Sequence, residues 1–138
     1  MFEYEHRVQF YETDLMGIVH HSNYIRFYEE ARVAWAERKG LLDTNRPETA
    51  SSFAVVGTQV RHLKPCRFGD RVRVEVQGRV QGARVFFEYK MWKGSDLVSE
   101  ARTEHASLDK ELRPERPRPE LKAALKGEVW IETWLSNL

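Results

Sequence analysis

A single stretch of this domain carries apolar residues at helical spacing, and the rest of the domain is patterned as strands. Over residues 23–39 the apolar side chains recur every three or four positions and form one stripe. Its members are Tyr24, Phe27, Tyr28, Ala31, Ala34 and Trp35. Ser22 or Asn23 is expected to cap the start of this helix, and Gly40 stands where a C-terminal cap is expected. A lone helix with so large an aromatic face must be covered by a sheet.

The other segments predict that sheet and its connections. Five runs are patterned as strands: residues 4–11, 53–63, 71–77, 84–92 and 97–107. The third run alternates strictly between apolar and polar side chains, which is typical of a strand with one buried face. Short turns containing Gly82 and Gly94 join the last three runs as antiparallel hairpins. The order of strand, long helix and four strands predicts an α+β fold, in which an antiparallel sheet of about five strands wraps around one long central helix.

Composition excludes several classes of protein. The chain has 138 residues, of which 22 are Lys or Arg and 21 are Asp or Glu, so its net charge of +1 gives no reason to expect nucleic acid or an anionic membrane as the main partner. The only cysteine, Cys66, excludes a disulfide framework and a cysteine-built zinc site within one chain. No apolar run approaches the ~20 residues of a membrane span, and charges interrupt the N-terminus where a signal peptide is apolar. A cytoplasmic protein is therefore expected.

The C-terminal part of the chain differs from the rest. Residues 113–138 are predicted to be a Pro-rich extension with a short helical segment, following a domain of residues 1–112. Residues 113–119 hold three of the five prolines and are expected to be extended, and residues 121–125 are expected to form one or two helical turns. Beyond them lies an apolar stripe of Trp130, Ile131, Trp134 and Leu135. This stripe either packs back on the domain or meets another subunit.

The segment between the first strand and the helix carries the candidate chemistry. Asp14 is a carboxylate in a loop just before the helix, and Gly17 permits a sharp or left-handed turn. The amides of residues 20–23 would lie at the helix N-terminus, where N–H groups lack partners and the dipole favours negative charge. Such amides can polarise a thioester carbonyl while a carboxylate attacks it or activates a water. An Asp-x-x-Gly before a helix is also a common turn, so the spacing alone leaves both interpretations open.

A longer motif adds to this picture. Its elements are Thr13-Asp14, Gly17-Ile18-Val19, His21, Asn23-Tyr24, Glu30-Ala31-Arg32, and later Lys64-Pro65 with Gly69-Asp70. On these elements, residues 4–108 resemble the 4-hydroxybenzoyl-CoA thioesterase family, and they are especially similar to the acyl-CoA thioesterases associated with the bacterial Tol–Pal system. The resemblance implies the hotdog fold and hydrolysis of an acyl-CoA thioester to a carboxylic acid and free CoA. It also implies no metal, no organic cofactor, and a homodimer or homotetramer with its active sites at subunit interfaces.

The resemblance also implies roles for individual residues. Asp14 matches the catalytic aspartate, which acts as nucleophile or general base. His21 matches the position whose backbone amide polarises the thioester carbonyl, and its side chain is a further candidate for orienting the substrate. Gly17, Asn23 and Tyr24 match positions that shape the loop and the helix start, and they are predicted to support substrate binding.

Two other functions stay open. A hotdog hydratase or dehydratase acting on acyl thioesters needs a carboxylate and a histidine for proton transfer. Asp14 has His20 and His21 nearby, but at a spacing unlike the hydratase pattern of an aspartate with a histidine five residues on. A non-catalytic acyl-binding or assembly module would instead use the C-terminal extension, with Trp130 and Trp134, as its working surface.

Several other side chains have simpler interpretations. His20 and His21 have no third ligand at zinc-like spacing, so no metal site is predicted. Glu30 is interpreted as a hydrogen-bonding partner that orders the helix start or an interface, and Cys66 as structural. Four side chains lead into the turn after the second strand: Arg61, His62, Lys64 and Arg67. They suit the phosphates of CoA, but a solvated strand end is the favoured interpretation.

Overall fold

One antiparallel sheet packs against a long helix, as the computed structural model shows for residues 1–46 and 53–138 (for Phe53, the backbone only). The elements in chain order are β1 (Phe2–Arg7), α1 (His21–Arg38), β2 (Phe53–His62), β3 (Arg71–Gln81), β4 (Arg84–Lys93), β5 (Asp96–Leu108), β6 (Pro114–Glu115) and α2 (Pro119–Lys126). A 3-10 turn at Phe10–Glu12 replaces the end of the predicted first strand. Pro47, expected in the loop after α1, lies outside the described residues.

The strand order places the two earliest strands at the edges of the sheet. The order is β1-β3-β4-β5-β2, with every pairing antiparallel, and the short β6 pairs with β5. The predicted hairpins β3–β4 and β4–β5 are confirmed. A sheet of this order around one long helix is the α+β hotdog fold. None of the helices among the described residues is long and apolar enough to cross a membrane.

Helix α1 begins at His21, two residues before the predicted start at residue 23. His20 is the N-cap, and its Nδ1 accepts a hydrogen bond from the backbone N–H of Ser22 at 3.2 Å. The expectation that Ser22 or Asn23 caps the helix is therefore wrong, because both lie inside its first turn. At the other end, Gly40 has a positive φ of 72°, and its N–H donates to the carbonyl of Glu37 at 3.0 Å. The predicted C-terminal cap at Gly40 is confirmed.

The aromatic stripe of α1 faces the sheet, as predicted. Five of its six members are buried, and Ala34 is half-buried. The rings of Tyr28 and Tyr89 lie 4.9 Å apart, and those of Trp35 and Phe87 lie 5.3 Å apart in an edge-on contact. Rings packed in this way add specific geometry to the burial of a large apolar area. These ring contacts fix the position of α1 relative to β4.

A chain of polar side chains crosses this packed interface. Arg32 Nη1 donates to the hydroxyl of Tyr89 at 3.0 Å, and that hydroxyl lies 2.8 Å from Oγ1 of Thr103. Nε2 of His105 lies 2.8 Å from the same Oγ1. His105 is fully buried, and its pKa is lowered from 6.5 to about 3, chiefly by burial and also by the positive charge of Arg32. The imidazole is therefore neutral inside the fold near pH 7.

The tail packs back on the outer face of the sheet, which is one of the two outcomes expected for its apolar stripe. Gln77 holds the backbone of Ile131 with two bonds of 3.0 Å, one to its N–H and one to its carbonyl. The guanidinium of Arg79 lies 4.3 Å from the ring centre of Trp130. Glu100, which is fully buried, accepts the N–H of Asn137 at 2.8 Å. The final residues thus cover polar side chains of β3 and β5.

Candidate active site

The loop before α1 is a small hairpin that presents Asp14. Thr13 pairs with Val19, and the N–H of Asp14 donates to the carbonyl of Ile18 at 2.8 Å. The turn between them closes with a 3.0 Å bond from the N–H of Gly17 to the carbonyl of Asp14. Gly17 has φ of 76°, a conformation that side chains disfavour, which explains a glycine at this position.

One oxygen of the Asp14 carboxylate forms a hydrogen bond within this turn. Its Oδ1 accepts the N–H of Met16 at 2.8 Å. Within residues 1–46 and 53–138, Oδ2 accepts no hydrogen bond, and the residue is half-buried. One oxygen therefore fixes the orientation of the carboxylate, and the other is available to a substrate or a water.

The hairpin is attached to the fold on both sides. The N–H of Val19 donates to the carbonyl of Cys66 at 2.8 Å. The backbone carbonyl of Glu12 accepts the N–H of His20 at 2.9 Å and the side-chain Nδ2 of Asn23 at 2.8 Å. Asn23 is buried, and this contact ties the start of α1 to the residue two before Asp14. Asn23 therefore shapes the site from behind.

A cleft of about 460 Å³ lies beside the hairpin. It is lined by Asp14, Met16, Ile18, Val19, His21, Tyr24, His62, Leu63, Lys64 and Pro65. The structure thus brings together three of the five predicted site residues: Asp14, His21 and Tyr24. Gly17 lies in the turn of the hairpin, and Asn23 lies behind it. His21 is the first residue of α1, where a backbone N–H has no intrahelical acceptor and the helix dipole favours a developing negative charge.

His62, at the end of β2, also lines the cleft. Its ring lies 4.6 Å from that of Tyr24, in an edge-on contact. Burial and the neighbouring His21 lower the pKa of His62, so its imidazole is neutral near pH 7. Burial likewise raises the pKa of the Tyr24 hydroxyl. Lys64, which also lines the cleft, forms a 2.8 Å ion pair with Asp96.

The remaining predicted side chains take structural positions. Glu30 accepts the hydroxyl of Tyr4 at 2.9 Å, so it links α1 to β1 as a hydrogen-bonding partner. Cys66 is buried, and burial raises the pKa of its thiol, which fits the structural role predicted for it. Among the residues that the structure describes, no three His, Cys, Asp or Glu side chains are grouped to hold a metal ion.

Two residues near the candidate site, His62 and Glu12, are not predicted from the sequence. His62 was grouped with cations of the strand end, because its place beside Tyr24 depends on how β2 meets α1. No role is predicted for Glu12 from the sequence, but it is buried and bonded to His6. Its neighbours Tyr11 and Thr13 give no signal that Glu12 is buried.

The fold and the cleft define the chain as a hotdog protein whose cleft is lined by a carboxylate, Asp14, and by the first residue of a helix, His21. A crystal structure of an Aquifex aeolicus protein superposes with a TM-score of 0.83 at 30% identity, covering 91% of this chain and 99% of that one. The structure of a 1,4-dihydroxy-2-naphthoyl-CoA thioesterase from Synechocystis gives a TM-score of 0.82 at 21% identity, covering 91% and 96%, which supports the fold.

Sequence comparison identifies the family. The chain belongs to the thioesterase-like superfamily, whose family model matches residues 8–125, and it is a thioester hydrolase. The 1,4-dihydroxy-2-naphthoyl-CoA hydrolase of Thermosynechococcus vestitus is 34% identical over 130 residues, covering 91% of this chain and 88% of that protein. The acyl-CoA thioesterase YbgC of Haemophilus influenzae is 27% identical over 126 residues, covering 89% and 93%.

Proposed function

We propose that this protein is a cytoplasmic acyl-CoA thioesterase that uses Asp14 as nucleophile or general base and the amides at the start of α1 as its oxyanion hole. The observation that carries the proposal is the shared cleft of Asp14 and His21, with Oδ2 of the carboxylate unbonded among the described residues. The coenzyme A thioesters named for the similar proteins support this substrate class. The motif around Asp14 further favours the subgroup associated with the Tol–Pal system.

Two routes fit this geometry, and both break the same bond. In the first, Oδ2 of Asp14 attacks the thioester carbonyl carbon, the C–S bond breaks to release the CoA thiolate, and water hydrolyses the resulting anhydride. In the second, Oδ2 removes a proton from a water that attacks the carbonyl directly. In either route the carbonyl oxygen gains negative charge, which the N–H of His21 and the positive end of α1 stabilise.

The other predicted residues support these routes from the loop and the cleft wall. Gly17 allows the turn that points the Asp14 carboxylate, and Asn23 fixes the helix start through Glu12. Tyr24 and His62 offer aromatic walls on which an acyl group or the pantetheine arm can pack.

Release of free thiol from a panel of short-chain, long-chain and aromatic acyl-CoAs tests the proposal. The purified protein, with no metal or cofactor added, is expected to hydrolyse at least one class and to release one thiol per acid formed. The ranking of kcat/KM across the panel then assigns the acyl group. Folded protein that releases no thiol from any acyl-CoA would contradict the proposal.

An exposed apolar patch beside the cleft supports a second part of the proposal, a homodimer or homotetramer. Phe10, Tyr11, Leu15, Met16 and Phe68 are all more than half exposed, and Met16 also lines the cleft. The rings of Phe10 and Phe68 lie 5.9 Å apart, so these two residues adjoin. Patches of this kind on a folded protein mark interaction sites. We infer that a second copy of the chain covers this patch, which places each cleft at a subunit interface.

Light scattering is expected to give two or four times the 16.3 kDa mass of one chain at micromolar concentration. A Leu15→Glu variant should shift the mass toward the monomer, because it places a charge in the patch that we expect to be buried between copies. Val129→Glu is the matched control, since Val129 is also exposed but lies in the tail. A monomeric wild type, or equal effects of the two substitutions, would overturn the assignment of this patch.

A further inference from the structure

A part-buried hydrogen bond between His6 and Glu12 lies behind the Asp14 hairpin. The carboxylate of Glu12 has a side-chain exposure of 8% and accepts Nε2 of His6 at 2.8 Å to one oxygen and 3.1 Å to the other. Its Oε1 also accepts the backbone N–H of Gln9 at 2.6 Å. Removing a hydrogen-bond partner of a buried carboxylate is costly, because the group is then left unsatisfied away from water. Glu12 is therefore held firmly against β1.

The backbone of the same residue is bonded to α1. The carbonyl of Glu12 accepts both the N–H of His20, at 2.9 Å, and Nδ2 of Asn23, at 2.8 Å. Glu12 lies two residues before Asp14, and His20 lies one residue before His21. The position of Glu12 consequently sets how far the Asp14 carboxylate stands from the first amides of α1.

His6 is in turn fixed by its own surroundings. Its ring lies 4.2 Å from that of Phe27, and its Nδ1 is 3.4 Å from Oε2 of Glu30. Glu30 also accepts the hydroxyl of Tyr4 at 2.9 Å. The imidazole thus stands between a carboxylate of the loop and a carboxylate of α1, so that β1, the loop and α1 meet at one side chain.

We propose that Glu12 and His6 are positioning residues for thioester hydrolysis, acting through the placement of Asp14 relative to the start of α1. This inference rests on the proposed function of Asp14. Neither residue lines the cleft, whose walls come from the Asp14 hairpin, α1 and the end of β2. Loss of the bond between His6 and Glu12 should therefore disturb the reacting geometry more than the binding of substrate. A displacement of about 1 Å in such a geometry can lower the rate by about a hundredfold.

The variants His6→Gln and Glu12→Gln replace the ring nitrogen or one carboxylate oxygen of this contact while keeping similar side-chain volume. Each is expected to lower kcat about tenfold or more, with KM changed by less than about twofold. The double variant should lose little more than the worse single variant, because both break one interaction. Glu3→Gln is the matched control: it weakens a different bond of β1, the 3.0 Å contact of Glu3 with Arg73 of β3, and should leave kcat unchanged.

The outcomes separate this inference from the proposed function. If Asp14→Asn is inactive while folded His6→Gln and Glu12→Gln keep the wild-type kcat, the positioning role is wrong and the function stands. Additive losses in the double variant, or a change confined to KM, would also overturn it. If Asp14→Asn remains fully active, the proposed function itself fails, and the inference with it. Should Glu12→Gln not fold, His6→Gln and His6→Phe, which retains the ring against Phe27, decide the question.

Discussion

Replacing Asp14 by Asn is expected to lower kcat for acyl-CoA hydrolysis by at least about a hundredfold, or ~2.7 kcal/mol of transition-state stabilisation. The amide oxygen of Asn can still accept the N–H of Met16, so the hairpin should keep its shape. What disappears is the negative charge that attacks the carbonyl or takes a proton from water. The measurement is thiol release at saturating substrate, beside a melting curve that shows the fold is retained.

Asp109→Asn provides a matched control. Oδ1 of Asp109 accepts the N–H of Glu111 at 2.9 Å, two residues on, just as Asp14 accepts that of Met16 at 2.8 Å. Asp109 lies in the turn after β5, outside the cleft lining. The Asp109→Asn variant should therefore keep the wild-type kcat. A loss of kcat in Asp14→Asn alone would then come from the missing carboxylate and not from a weakened turn. Equal rates for wild type and Asp14→Asn would remove Asp14 from the mechanism.

The free energy of unfolding should fall steeply with acid because of His105, with a loss of about 2 kcal/mol between pH 7 and pH 5 from this residue alone. Burial lowers the pKa of His105 to about 3, whereas an exposed histidine has a pKa near 6.5. Between those two values the unfolded chain takes up a proton and the folded chain does not. Stability is therefore present above the unfolded pKa and is lost as the pH falls through this window.

His105→Gln removes the titrating group and should flatten the pH dependence. Urea unfolding of wild type and variant is measured at several pH values from 7 to 5. The quantity compared is the slope of the unfolding free energy against pH, which can be compared even if the variant is less stable at every pH. An unchanged urea dependence of the unfolding free energy would show that both proteins expose the same surface on unfolding. Parallel curves for the two proteins would contradict the assignment of the acid loss to His105.

Much of the fold follows from local patterns, because the helix and the hairpins rest on contacts close in sequence. The stripe from Tyr24 to Trp35 predicts α1 and its buried face, and Gly40 predicts its end. The N-terminal cap was misplaced because a histidine is an unusual cap, and its ring nitrogen does here what Ser, Thr, Asp or Asn oxygens usually do. The ladder β1–β3, which joins the chain start to its middle, has no local signal.

The candidate site also combines residues that a local motif predicts with residues that only tertiary contacts bring into place. Asp14, Gly17 and His21 lie within one motif, so their proximity follows from a short loop and a helix start. His62 reaches the cleft only through the pairing of β2 with β5, and its contact with Tyr24 spans two elements. The bond between His6 and Glu12 depends on the 3-10 turn that the strand pattern of residues 4–11 concealed. Such pairings are set by tertiary packing and need the folded structure.

Cys66 gives the protein a chemical reporter of its own. Cys66 is the only cysteine of the chain and is 1% exposed. Its backbone carbonyl accepts the N–H of Val19, at the end of the Asp14 hairpin. A disulfide reagent that counts released coenzyme should consequently register product with almost no background from folded enzyme. The same reagent would label one site per chain whenever the packing around Cys66 and its neighbour Tyr24 opens. Labelling kinetics at Cys66 can thus measure how often this part of the cleft opens, without any engineered probe.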